Sequence, residues 1–453
     1  MDTEYLRSLK AGLGEPAGRL VLICNFEVED RWARNYVGLP APGFRASSAV
    51  VTRMEELGVL LAGADDVLVL SRPLDPGYRS YLEAQGLPQP AVLVPENVEP
   101  GRSTTEDALD SPALLTELSA LARGGARLLP MGTSELEQKL ADVTGLPLAV
   151  PDAATFERVN SKIYSRHLTA AAGLREVPGD CCEGVDEFEE VLRRRRPEIA
   201  ERPVVIKDAY GVSGKGLVVL DAPEKADRLL RMVLRRARRS GDARLHVVVE
   251  EWLPKECDLN YQVTVWRDGR VQLDFVKRAL TEHGVHKGHL MPAGITSAAH
   301  EEIEHAAEVV GHRLRDDGFH GVLGVDAVVG ADGTVYPVLE INARLNMSTY
   351  QGSVTEHCQP AGHVALARHY PLRLTRPCGF DELTGVLNPV LGRFGTERFV
   401  ITCFGTVNAD ADREPPFGGR LYAVLIAPDR TRLDALDSAV RSALSARFPE
   451  ENS

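Results

Sequence analysis

The chain has 453 residues and a formal net charge of −13, a length that provides two or three domains with a substantial core and an acidic balance that excludes general nucleic-acid binding, which needs a basic footprint. No apolar run reaches the length of a membrane span, and the opening MDTEYLRSLKAGLGEP has no signal-peptide core. The cysteines are sparse and odd in number, with Cys181 and Cys182 read as reduced thiols, so a cytoplasmic protein away from membranes is expected.

From Gly18 to about Val150, strand-like runs (RLVLICNF, DDVLVL, AVLVPE, ARLLPM) alternate with helical ones (SPALLTELSALA, SELEQKLADVTG). That alternation predicts βα units and an open, largely parallel sheet. No G-x-G-x-x-G follows the first strand, so no dinucleotide site is assigned there. From about Ala154 to Tyr370, helices mix with antiparallel hairpins. One amphipathic helix, EKADRLLRMVLRRARR, carries Ala226, Leu229, Leu230, Val233 and Ala237 on one face. From Pro371 onward there is a strand pair around FVITCFGTV and LYAVLIAP, then the helix RLDALDSAVRSALSARF.

Within the middle region, VVIKDAYGVSGKGLVVL (204–220) sets a glycine-rich turn between two strands. Gly211, Ser213, Gly214 and Gly216 allow close backbone approach, and Lys207 and Lys215 add charge, a combination that suits a phosphate chain. The P-loop spacing is absent, and a plain hairpin with solvated lysines has the same composition. Further on, the buried strand Val247–Val249 ends in Glu250, Glu251, Trp252 and Leu253, where an extended linker can meet a purine edge with apolar contact from Trp252 and Leu253. Glu256 or Asp258 can then accept from ribose hydroxyls.

The stretch GVLGVDAVVGADGTVYPVLEINARLN (321–346) reads as a hairpin turning at Asp332-Gly333. Glu340 and Asn342 share a face. A two-residue turn pairs 326 with 339 and turns Asp326 away from Glu340. A three-residue turn with Gly333 left-handed pairs 326 with 338 and brings Asp326, Glu340 and Asn342 together. Three such oxygen donors, completed by phosphate, are how magnesium is commonly held. Arg344 extends the same face.

The order of these pieces, with Lys162 in NSK ahead of them, resembles the ATP-grasp superfamily of carboxylate–amine ligases over roughly 155–350. The resemblance implies an α/β fold (α+β in the core): a pre-ATP-grasp βα domain (1–153), an ATP-grasp core (154–370; mobile small lobe about 163–253, metal-bearing lobe about 254–370) and a C-terminal α+β module (371–453). It implies that Lys162, Lys207 and the loop Gly211–Gly216, with Ser213 and Lys215, hold ATP phosphates, that Asp326, Glu340 and Asn342 carry two Mg2+ ions, and that Arg344 stands beside the transferring phosphate. In D-alanine ligases of this superfamily an arginine lies two residues before the first metal acid. Here that position is Gly324, which leaves transition-state charge to Arg344 with Lys277, Arg278 or Lys287.

The cation-rich segment FVKRALTEHGVHKGHLMPAG (275–294) is expected to be a loop over the carboxylate substrate. His286 and His289 lack a third metal ligand and are read as substrate contacts or exposed loop residues, and His320 as structural. The implied chemistry is ATP-dependent activation of a carboxylate as an acyl phosphate, attack by an amine, and release of ADP and phosphate. The overall assembly looks most like the pheganomycin-type peptide ligases of actinobacterial natural-product pathways, which implies a small amino-acid-like carboxylate, a peptide amine acceptor and a homodimer. Joining of two free amino acids, ATP-dependent carboxylation and nucleotide binding without turnover are the alternatives. No Met-Lys-Met biotin site is present.

Overall fold

The computed structural model describes residues 2–14, 18–40, 48–211, 216–282 and 285–449. Sixteen strands among these fall into three sheets that follow one another along the chain. The first contains β1 (Leu20–Ile23), β2 (Val67–Val69), β3 (Ala91–Leu93) and β4 (Arg127–Pro130), parallel in the order β3-β2-β1-β4. All four expected strand runs of the N-terminal region are present, with the two expected helices at Pro112–Arg123 and Glu135–Thr144. β1 and β2 are buried throughout, as short apolar strands covered by helices on both faces must be.

The second sheet is antiparallel, in the order β5-β8-β6-β7: β5 (Gly179–Gly184), β6 (Val204–Asp208), β7 (Leu217–Leu220) and β8 (Arg244–Glu251). Helices Val185–Ile199 and Pro223–Ser240 cover it, and this lobe has its own apolar core, which includes Phe188, Val204, Ile206, Leu229, Val233 and Val249. The arginines of Pro223–Ser240 follow its amphipathic pattern, with Ala226, Leu229 and Val233 buried beneath them.

The third sheet is antiparallel and eight-stranded, in the order β13-β12-β9-β10-β11-β14-β16-β15: β9 (Lys255–Val265), β10 (Val271–Glu282), β11 (Val285–Met291), β12 (Gly321–Gly330), β13 (Val335–Asn342), β14 (Val364–Leu374), β15 (Arg398–Cys403) and β16 (Phe417–Ala427). The substrate loop expected over 275–294 is a correction: residues 275–282 and 285–291 belong to β10 and β11, in the middle of the sheet. Paired on both sides, the backbone there satisfies its N–H and C=O groups in the ladder, and the cations become side chains of a rigid surface. Position 371 lies within β14, and β14–β16 extend the same sheet as the core.

Among the described residues, no helix is long and apolar enough to cross a membrane.

Candidate active site

The β12–β13 hairpin takes the three-residue turn. Val329 pairs with Val335, the Gly330 N–H donates to the Thr334 carbonyl at 2.7 Å, and Gly333 has φ +83°. A bulge between Asp326 and Val328 then advances the register, so Asp326 lies opposite Glu340 instead of Val338. Pro337 sits in the bulged segment, where a residue with no N–H loses nothing by leaving the ladder. A shift of two positions preserves the face. Asp326 and Glu340 therefore project from the same side of the sheet, with Asn342 two residues beyond.

The row continues across four strands. Glu340 pairs with Asp326, Asp326 with Asn260 of β9, and Asn260 with Lys277 of β10. Asn260 Nδ2 donates to Asp326 Oδ1 at 2.9 Å, and Asn342 Nδ2 to Asp326 Oδ2 at 3.3 Å. Burial, then the charge of Glu340, pushes the Asp326 carboxyl up to about 6. Two facing carboxylates fit a divalent cation, which would remove their repulsion. Among the described residues no cluster of three or more His, Cys, Asp or Glu side chains forms, so the protein supplies two carboxylates and an amide, and phosphate oxygens or water would have to complete the shell.

Lys162 opens the helix Lys162–Ala171, which Ser161 caps at Ile163 N. The helix is bound to the hairpin by the Ile341 N–H, which donates to Ser165 Oγ at 3.0 Å. Its first residue thereby reaches Glu340, Nζ to Oε1 at 2.8 Å, and also donates to the Gly211 carbonyl at 2.9 Å. Lys207 of β6 donates to Glu250 Oε2 at 2.6 Å, and Arg166 to Glu250 Oε1 at 2.8 Å. Burial opposes the charges in this triad, but pairing prevails: Lys207 sits above and Glu250 below the ordinary values. Glu250 thus acts on the site by holding Lys207.

The N–H groups of Glu251 and Trp252 donate to the carbonyls of Pro178 and Pro203, both at 3.0 Å, and the Pro254 carbonyl accepts from the Ala331 N–H at 3.1 Å. Glu256 is exposed beside Arg278 at 3.8 Å, and Asp258 accepts from Lys255 and Thr281. Gly216 has φ +74°. Ser213, Gly214 and Lys215 lie outside the described residues.

Arg344 donates Nη2 to Asn342 Oδ1 at 3.1 Å, and its other face is taken by Glu29, Nε to Oε1 at 2.6 Å. Glu29 belongs to the short helix Val28–Trp32 of the N-terminal region, so this ion pair joins the parallel sheet's domain to the hairpin. Lys277 is 3% exposed, donates to the Ser348 carbonyl at 2.9 Å, and is pushed down to about 7 by burial. Arg278 turns to the carbonyls of Ala293 and Gly294. Lys287 lines a pocket with His286, Gln351, Arg368, His369 and Tyr422. His320 is half-buried, with a hydrogen bond to the Ala149 backbone.

The structure thus gathers Lys162, Glu340, Asp326, Asn342 and Arg344 directly, with Lys207 nearby, and sets Arg278 and Lys287 apart. Sequence reasoning missed Glu29, Asn260 and Arg166. Each sits in an unremarkable local context, and only pairing across distant segments reveals it.

Residues 54–146 match the family model of the pre-ATP-grasp domain, and residues 176–348 that of the ATP-grasp domain. The chain is 26% identical over 330 residues to a butirosin acyl-carrier protein–L-glutamate ligase of Niallia circulans, covering 72% of this chain and 71% of that one. It is also 26% identical over 257 residues to the alpha3 subunit of a biotin-dependent acyl-coenzyme A carboxylase of Mycobacterium leprae, of which it spans 41%. Among solved structures, it shares its fold with an N5-carboxyaminoimidazole ribonucleotide synthetase bound to ADP (TM-score 0.54, 12% identity, 96% of this chain and 98% of that one). The biotin carboxylase domain of a Hydrogenobacter thermophilus 2-oxoglutarate carboxylase, solved with MgADP and bicarbonate, is similar (TM-score 0.53, 14% identity, 93% and 89%). With lysines, carboxylates and amide placed as described, the chain belongs to the ATP-grasp superfamily, with a pre-ATP-grasp domain ahead of its ATP-grasp domain.

Proposed function

We propose that this protein is an ATP-dependent carboxylate–amine ligase of natural-product biosynthesis that joins an amino-acid-like acid to the amino group of a peptide. The observation that carries the reading is the meeting of Lys162 and Glu340 at 2.8 Å, beside Asp326 and within one residue's reach of Arg344. A cation that binds the γ-phosphate and a carboxylate that binds metal neutralise each other in the free protein and separate when a metal–nucleotide complex enters.

The chemistry follows from where the charges stand. Lys162 and Lys207 bind phosphate oxygens, and Asp326, Glu340 and Asn342 would hold the magnesium. When bound, magnesium supplies charge neutralisation on the phosphates. Arg344, rigidly held by Glu29, faces the carboxylate as it attacks the γ-phosphorus. The same guanidinium stabilises the oxyanion when the amine attacks the acyl phosphate and phosphate leaves. No side-chain nucleophile is needed. The likeness to a glutamate ligase over most of both chains supports a carboxylate donor of the amino-acid class. A homodimer is part of the proposal.

The test is ADP and phosphate release with ATP, magnesium and pairs of amino acids, short peptides and an acyl-carrier protein, with mass spectrometry of the products. Turnover that requires an acid and a peptide amine, giving a product lighter than their sum by one water, supports the reading. A product from two free amino acids narrows the acceptor to that class. Turnover with bicarbonate and no amine replaces the reading with carboxylation.

A further inference from the structure

His286 and His289 stand on β11 with Nε2 facing Nε2 at 3.2 Å and ring centroids 4.4 Å apart. His289 pairs with Ala279 and His286 with Thr281, so both rings project from the face that carries Lys277. His286 also hydrogen-bonds the backbone of Gly288. Because its Nε2 faces His289, that bond engages Nδ1, which donates to the carbonyl. His286 Nε2 is then a lone pair and accepts from His289 Nε2–H. The lone pair of His289 Nδ1 is left over. His289 is 4% exposed, and this atom has no hydrogen-bond partner. A buried acceptor without a donor is costly, and it is kept on the reactive face of the sheet, next to the pocket that His286 lines.

We propose that the His289–His286 pair takes the proton of the attacking amine in the ligase reaction, which deepens and rests on the reading above. The N–H of the incoming primary amine donates to His289 Nδ1, which aims the nitrogen lone pair at the acyl carbon. As the C–N bond forms, the amine proton passes to His289 Nδ1. The Nε2 proton of His289 passes to His286 Nε2, and the C–O bond to phosphate then breaks. The charge ends on His286, the more exposed ring. There the carboxylate of Asp258, which accepts from Thr281 beside it, favours it.

The groups around the pair fit this direction of transfer. Lys277 of β10 faces His289, and Lys287, Arg368 and His369 share the pocket with His286. Burial keeps both rings neutral before the reaction, and at His289 the neighbouring Lys277 adds to it, so the lone pair is available near pH 7. The weak basicity that results suffices, because an amine nitrogen becomes strongly acidic once bonded to the acyl carbon.

The experiment compares full-length wild type with His289→Gln and His286→Gln, using ATP, magnesium and L-glutamate as the acid. The nucleophile is either a dipeptide amine or hydroxylamine, which is already neutral near pH 7. Amide and hydroxamate are both measured, and the ring tautomers of 15N-histidine-labelled wild type are read by NMR. The expected result is a loss of amide formation of about a hundredfold in His289→Gln, with a much smaller loss of hydroxamate, a weaker effect in His286→Gln, and a proton on His289 Nε2. Equal losses of amide and hydroxamate, no loss of amide, or a proton on His289 Nδ1 overturns the relay alone. A wild type that releases no ADP with any acid and nucleophile overturns the ligase reading, and the relay with it.

Discussion

Lys162 Nζ lies 2.8 Å from Glu340 Oε1 and 2.9 Å from the Gly211 carbonyl, so one ammonium ties Gly211 to β13. Removal of that ammonium in Lys162→Ala should weaken Mg-ATP binding about 10- to 100-fold, the value of one or two charge-assisted hydrogen bonds. The same change frees Glu340, so binding of Mg2+ alone should not weaken. Calorimetric titrations with Mg-ATP and with Mg2+ separate the two effects, and parallel losses in both would refute the exchange of partners.

Arg344 and Glu29 form a buried ion pair between two domains. Arg344→Met strands a buried carboxylate, at a cost of about 3–5 kcal/mol, and the double variant Glu29→Gln with Arg344→Met should recover much of it. Turnover should fall by about 10²–10³ in both, since the oxyanion loses its guanidinium. Urea unfolding of the four proteins of the cycle provides the check, and additivity of the two single changes would sink the coupling.

Lys277 is held down to about 7 by burial. Between that value and the ordinary lysine range the unfolded chain holds a proton that the folded chain does not, so the stability contributed here rises with pH across the window and is least below about 7. The stability of Lys277→Met relative to wild type should accordingly be highest near pH 6 and decline toward pH 10. Unfolding midpoints at both ends measure this, and a difference that is flat or grows with pH contradicts it.

Gly216 has φ +74°, and a Cβ there would overlap Asp208 Oδ2. Gly216→Ala should strain the loop by about 1–3 kcal/mol and raise the KM for ATP, with partial recovery when Asp208→Ala is added. If the double variant is no better than Gly216→Ala in a steady-state ATP titration, the contact with Asp208 is not the cause.

Several elements were legible in the sequence because they depend on local pattern. The alternation of apolar runs with helical ones defined the parallel N-terminal sheet, and the apolar runs on either side of the glycine-rich stretch defined the β6–β7 pair. The hairpin motif placed Asp326, Glu340 and Asn342 on one strand pair, although two turn lengths remained open. The structure chose the longer turn and added a bulge at Pro337, an even shift that preserves the face.

What the sequence by itself determined is the set of chemical groups and their order along the chain, since residue type and periodicity are local properties. The tertiary structure alone decided which of them meet. The segment 275–294 looked like a loop because it is rich in cations, yet neighbours on both sides complete its ladder and make it β10 and β11. Glu29 meets Arg344 across 315 residues and Arg166 meets Glu250 across 84. The energy that fixes such pairs comes from excluding water around two charges at once, and no local stretch of sequence carries that information.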